Sequence, residues 1–451
     1  MEFRKNVSFV LLIMAVSGCS GIATKAKSPE SRELVKDYTS LRIRESEEEL
    51  KMPDEPSGDL FLEDAVRLAL LRNPALGSFS LEVRAKEAEA YQASLYPNPE
   101  ISFEMENFAG TGTYNGFQST ETTISLGQMI LLGGKRDKRT QVANLESDMT
   151  AWDYEIQRLD VFTAVTKAYI SVISGQEQVK LNEELLDVAK QFAIAIEKRV
   201  SAGRLSPAEL SRAKVELTNA EVALNRSQRE LDAARIRLAA TWNGKEPRFG
   251  KVEGDLVLPG LLPELKELTR GIKENPEMEK WVIEMEKRRA DKDLQEALGI
   301  PDLNIGLGYR RLSASSDNVL VAGLSIPIPI FNSNQGAVEA AKIRVNQAEW
   351  QKASTQVALI SDLNQLYASL QALRLETVAL YEKGIPEAEN AFEIINDGYN
   401  LGKFRFLDVL NAQRTLFESR SNLIRSLADY QLALTDIERL IGRPISNVIN
   451  D

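Results

Sequence analysis

QVANLESDMTAWDYEIQRLDVFTAVTKAYISV, residues 141–172, sets Val142, Leu145, Met149, Trp152, Ile156 and Leu159 three or four positions apart, and Phe162, Val165, Tyr169 and Val172 extend the series. This is the a/d spacing of a coiled-coil seam. The surrounding run, 137–202, has no proline and a single glycine, Gly175. At about 1.5 Å per residue it forms a rod roughly 100 Å long. A compact core has no use for such a helix, so the chain spans a distance.

A second run of similar length occupies 336–398, with Leu359, Leu363, Leu366, Leu370 and Leu373 on a comparable stripe. Each run ends in a glycine-bearing turn, Gly203-Arg204-Leu205 in one and Gly402-Lys403-Phe404 in the other, and a returning helix follows. Heptad steps mark the last helix at Leu416, Leu423, Leu427, Tyr430, Leu434, Ile437 and Ile441. Asn73-Pro74 answers Asn275-Pro276, Pro99-Glu100-Ile101 answers Pro301-Asp302-Leu303, and Asn243-Gly244 answers Ile441-Gly442, at offsets between 198 and 202. The chain is therefore a tandem duplication, with repeats at 59–250 and 251–443 and a tail at 444–451.

Two stretches in each half change the period from 3.6 to 2. Strands are expected at about 99–108 and 120–131, then at 302–310 and 319–327. Ile101, Phe103 and Met105 alternate with Ser102, Glu104 and Glu106, and Leu303, Ile305, Leu307 and Tyr309 alternate with Asn304, Gly306, Gly308 and Arg310. The pattern fits surface hairpins and fits transmembrane β-strands. The N-terminus favours the bilayer. Arg4 and Lys5 precede the apolar run Phe9 to Val16, and Val16-Ser17-Gly18 leads to Cys19, the only cysteine. This reads as a signal peptide over 1–18, with small residues before a cysteine that resemble the lipobox of bacterial lipoproteins. Cys19 is then the acylated (palmitate-bearing) first residue, Ser20 in place of Asp directs it to the outer membrane, and 19–58 forms a polar linker. Four strands cannot close a barrel, and bare backbone groups are costly in hydrocarbon. Copies of the chain must complete the sheet, and three would supply twelve strands.

Composition excludes several classes. The formal charge is −11, with no histidine and one cysteine. Histidine-based metal sites, histidine general bases and internal disulfides are ruled out, and an acidic chain without a basic arm argues against nucleic acid. No nucleophile–base pair, phosphate loop or metal-ligand cluster can be assembled, so no enzyme, metal or cofactor is expected; Gly133-Gly134-Lys135-Arg136 lacks P-loop spacing. Ser206-Pro207-Ala208-Glu209 reads as a capping box. Glu104 and Glu106 share the strand face opposite Ile101 and Phe103. Facing a lumen they would attract cations as acidic rings; on a plain hairpin they would be solvated.

The two-half plan, Tyr96-Pro97-Asn98-Pro99-Glu100, the run from Ser125-Leu126-Gly127-Gln128 to Arg136, and Gly398-Tyr399-Asn400-Leu401-Gly402 to Phe406-Leu407-Asp408-Val409-Leu410-Asn411-Ala412 together resemble the TolC family of outer-membrane efflux ducts. Glu104-Met105-Glu106-Asn107-Phe108 and the Gly-Gly-Lys-Arg ending are most similar to its cobalt–zinc–cadmium branch. The resemblance implies a mainly α fold with a small β part. It further implies a homotrimer whose 12-stranded β-barrel continues into an α-helical periplasmic tunnel. Such a duct conducts passively, joining a periplasmic adaptor (membrane fusion protein) and an inner-membrane RND pump across the outer-membrane lipid, here for divalent heavy-metal cations. A drug or type I protein-secretion duct, and a lipid-anchored adaptor or scaffold without a barrel, are the alternatives. By the same resemblance, Glu209, Tyr399 and Asp408 sit at the periplasmic constriction, and Asp408 would repeat around the axis as a ring of carboxylates. Asp408 equally suits the first turn of a helix. Phe404 stands where the family has a basic gate residue and Asn411 where it has a second aspartate, with Arg405 adjacent, so a more apolar lock is expected. Gly203, Arg204, Leu205, Gly402 and Lys403 match the tips where the adaptor docks.

Overall fold

The computed structural model describes residues 57–257 and 262–445. Cys19 and the expected signal peptide lie outside the described residues. The first half runs α1 (Leu62–Arg72), α2 (Pro74–Ala93), β1 (Glu100–Glu106), β2 (Glu121–Ile130), α3 (Lys135–Ser201) and α4 (Pro207–Ala240). The second runs α5 (Leu265–Gly271), α6 (Pro276–Leu298), β3 (Leu303–Leu312), β4 (Asp317–Ser325), α7 (Gln335–Ala379), α8 (Ile385–Asn400) and α9 (Phe406–Ile441). The fold is mainly helical with one small sheet.

Helix α3 is the spine. Helices α2 and α4 pack on it from one side, α6 and α9 from the other, and α7 lies against both α6 and α9. The stacking depends on the two Asn-Pro pairs. Asn73 caps α2 by accepting from the backbone N–H groups of Ala75 and Leu76, while its amide donates to the Thr241 carbonyl at the end of α4 (2.9 Å). Asn275 caps α6 by accepting from Glu277 (2.7 Å) and donates to the Leu440 carbonyl near the end of α9 (2.7 Å). One side chain thus serves the orphan donors of a starting helix and an orphan carbonyl of a finishing one. Proline at the next position lacks the N–H that would otherwise need a partner. Each short helix continues the line of a returning helix, so four helical columns stand side by side.

A core lies at each splice. Leu60, Val66, Val165, Tyr169, Leu238, Trp242 and Phe249 bury one another in the first half; Leu268, Ile272, Leu363, Leu370, Tyr430, Ile437 and Ile441 do so in the second. The Tyr169 hydroxyl donates to the Leu60 carbonyl (2.9 Å), and burial pushes its pKa up to about 12. Tyr367, its counterpart 198 residues on, donates to the Pro263 carbonyl (3.0 Å).

The second long run differs from the first in containing Pro386. Between α7 and α8, residues 380–384 form a π-turn in which the Ile385 N–H reaches the Leu380 carbonyl. Proline in an ordinary helix removes one backbone donor and collides with the carbonyl four residues earlier. One extra residue in the turn relieves that collision and keeps the rod continuous.

The four strands form a single antiparallel sheet in the order β1-β2-β3-β4, because β2 and β3 pair across the two halves. The register aligns Ile101, Leu126, Leu307 and Ala322 in one row and Phe103, Ile124, Tyr309 and Leu320 in the next. These rows face outward, with Ile101 79 % and Leu320 88 % exposed. Among the described residues no helix is long and apolar enough to cross a membrane.

Asn275, which is buried, should tolerate truncation less well than the half-buried Asn73. Asn275→Ala removes a cap and leaves the Leu440 carbonyl bare, a loss of about 2–4 kcal/mol. Thermal melting followed by circular dichroism should place Asn275→Ala below Asn73→Ala. Asn275→Asp, which keeps the acceptor but not the donor, should fall between the wild type and Asn275→Ala.

Candidate conduit: the polar sheet face and the helical tips

The sheet face opposite the apolar rows carries Ser102, Ser125 and Gly308 in one row, Glu104, Thr123 and Arg310 in the next, and Glu106 and Glu121 in a third. The Ser102 and Ser125 hydroxyls share a hydrogen bond of 2.6 Å. Arg310 holds the centre. Its Nη1 lies 2.9 Å from Glu121, its Nη2 lies 3.2 Å from Glu106, and its Nε donates to the Thr123 hydroxyl (2.8 Å). Glu106 is therefore ion-paired within its own chain, whereas Glu104 sits one row away beside Thr123.

At the far end of the rods the two hairpin tips have the same geometry. Gly203 (φ +71°) and Gly402 (φ +76°) are left-handed. Arg204 N–H donates to Arg199 and Gly203 N–H to Val200; Lys403 N–H donates to Gly398 and Gly402 N–H to Tyr399. Both are Schellman endings, which satisfy the last carbonyls of a helix and need a residue at positive φ. Gly203, Arg204, Gly402 and Lys403 are exposed and Leu205 is half-buried.

An apolar cluster joins the tips: Ile196 and Ala213 of the first hairpin meet Tyr399, Phe406 and Val409 of the second, with Leu205 against them. The Phe406 ring lies 6.2 Å from that of Phe192 and 6.1 Å from that of Tyr399. The Arg199 guanidinium covers the Tyr399 ring at 4.8 Å, and Arg414 pairs with Glu216 at 2.9 Å. The Tyr399 hydroxyl and one Glu209 carboxylate oxygen are buried with no hydrogen-bond partner among the described residues. Phe404 packs onto Gly398, where an added Cβ would come within 2.4 Å of its ring.

The start of α4 is only half of a capping box. The Ser206 hydroxyl accepts from Ala208 N–H (3.2 Å), but the Glu209 carboxylate pairs with Arg212 (3.3 Å). A cation one turn along offers the carboxylate a charged partner. At the start of α9 the return half is present instead, with Asp408 accepting from Arg405 N–H (2.9 Å). The Arg405 side chain is exposed and 3.9 Å from Asp408, and Asn411 is exposed on the next turn.

Sequence comparison matches residues 65–244 and 269–443 to the family model described as outer membrane efflux protein. The chain belongs to the outer membrane efflux protein family. The cobalt-zinc-cadmium resistance protein CzcC of Cupriavidus metallidurans is 33 % identical over 87 % of this chain and 92 % of its own length. The nickel and cobalt resistance protein CnrC of the same organism is 26 % identical over 61 % of this chain and 65 % of its own. Among solved structures, CusC superposes with a TM-score of 0.71 over 85 % of this chain and 92 % of its own, at 19 % identity. The Campylobacter jejuni channel CmeC does so at 0.70 over 86 % and 88 %, at 15 % identity. This efflux protein is accordingly an outer-membrane channel that extends into the periplasm, in a family of channels rather than enzymes. No group of three or more His, Cys, Asp or Glu among the described residues is placed to hold a metal ion.

Several side chains at these sites carry little sequence signal. Arg310 alternates with Gly306 and Gly308, but nothing in the pattern marks it as the partner of two acids from the other half. Arg199 and Phe192 fall inside an ordinary heptad. For this efflux protein, Gly398→Ala should expel Phe404 from its seat and loosen the tip, raising basal conductance in planar bilayers. Gly336→Ala, where an added Cβ meets nothing within 4 Å, should leave conductance unchanged.

Proposed function

We propose that three copies of this chain, each lipid-anchored through Cys19, form a twelve-stranded barrel and helical tunnel. This homotrimer is the exit duct of a tripartite RND-type system for divalent heavy-metal cations. The observation that carries the trimer is the sheet, whose outward face is apolar and whose edge strands, β1 and β4, lack an outer neighbour among the described residues of the isolated chain. In lipid those bare N–H and C=O groups must be paired, and a closed ring of sheets pairs them all. The cargo rests on the likeness to CzcC at 33 % identity. Energy comes from the inner-membrane pump, and a periplasmic adaptor docks at Gly203-Arg204-Leu205 and Gly402-Lys403.

In this reading the constriction lies at the joined tips. Asp408 faces the axis as a ring of three carboxylates while also holding the start of α9. Phe404 and Tyr399 supply apolar closure in place of a charged lock, with Glu209 and Asn411 alongside.

A deletion strain should accumulate zinc, cobalt or cadmium and regain resistance with the wild-type gene; sensitivity to drugs alone would refute the cargo. Cys19→Ala should abolish labelling with radioactive palmitate. A stable monomer in detergent, with residues 100–130 and 303–325 open to water-soluble labels, would defeat the duct. Asp408→Asn keeps the acceptor for Arg405 and removes the charge, so it should lower cation selectivity without changing the melting temperature. Asp408→Ala should also destabilise the start of α9, by about 1 kcal/mol.

A further inference from the structure

The polar sheet face contains an arrangement that ordinary strand pairing disfavours. Glu106 and Glu121 are direct cross-strand partners, and like charges in that position repel. Arg310 comes from β3 and places one guanidinium between them, at 3.2 Å and 2.9 Å, with its third contact to Thr123 at 2.8 Å. Asn107 donates to the other oxygen of Glu121 (3.2 Å). Both carboxylates thus converge on one cationic group, and each has a second oxygen.

We propose that Arg310 determines how the barrel treats its cargo: it is a built-in counter-ion that keeps Glu106 and Glu121 from holding a divalent cation. Two carboxylates drawn to one point, with a hydroxyl and an amide beside them, are the oxygen donors that hard or borderline divalent cations take. A channel must attract its ion without retaining it. The guanidinium occupies the converging oxygens permanently, because it cannot lose its charge at any accessible pH. Glu104, one row away, keeps the face acidic enough to draw cations in. The inference rests on the reading of this face as the lumen of a metal-cation duct.

The test uses the full-length protein in planar bilayers, with potassium current measured while Zn2+ alone is titrated in. Wild-type pores should pass current with little block. Arg310→Gln should lower the Zn2+ concentration for half-block about tenfold or more, since affinity at oxygen sites follows the count of ligand charges. Adding Glu106→Gln and Glu121→Gln to Arg310→Gln should restore wild-type behaviour. Half-block within twofold of wild type in Arg310→Gln pores of normal conductance would overturn the proposal. The Glu106→Gln/Glu121→Gln pair with Arg310 intact supplies a second readout that does not depend on folding of the arginine variant. Its bared guanidinium should shift the reversal potential toward anions, and an unshifted potential would also overturn the proposal. Wild-type protein that forms no cation-conducting pore would instead refute the duct reading itself, and this inference with it.

Discussion

Among the described residues, strand β1 has β2 on one side and nothing on the other, and β4 ends the sheet in the same way. A water-soluble protein can leave such edges to solvent. This sheet presents Ile101, Phe103, Leu126, Leu307, Leu320 and Leu324 on its outer face, and a surface of that kind belongs in lipid, where no water is available to the edges. The constraint propagates downward. In the proposed trimer, neighbouring copies cover those edges, and the helices joined to the same strands follow them into one ring.

The helical part faces a different problem, which is to make columns longer than its short helices. Asn73 and Asn275 resolve it with one side chain that caps a starting helix and receives a finishing one. The amide does both because it carries an acceptor and a donor on one short arm. Duplication carried the device into both halves, and each copy sits beside its own core and its own tyrosine, Tyr169 or Tyr367.

Two hydrophobic periods made the helical class and the small sheet legible in the sequence, and the resemblance of the tips and of the Gly-Gly-Lys-Arg run made the family legible. The pairing of β2 with β3 was not, because periodicity identifies faces and not neighbours. Asn73-Pro74 was legible as one of a repeated pair and not as a join; the partner carbonyl lies 168 residues away and has no side-chain identity to read. Glu106 read as an unpaired charge, in a lumen or on a solvated hairpin, until the fold brought Arg310 across to it. At the tips, the sequence announced two glycine turns but not the ring-on-ring contact of Phe192 with Phe406, which depends on how the hairpins lean together.

The π-turn at 380–384 leaves a trace in the numbering of the duplication. Tyr169 and Tyr367 are 198 residues apart, whereas Gly203 and Gly402, beyond the turn, are 199 apart. One residue added to a regular helix would turn everything after it by about 100°, and the wide turn takes up that residue locally instead. The two ends of each chain, alike in backbone, still present different side chains, Arg204-Leu205 at one and Lys403-Phe404 at the other. Every chain thus carries, side by side, two ends of one backbone shape and two chemistries.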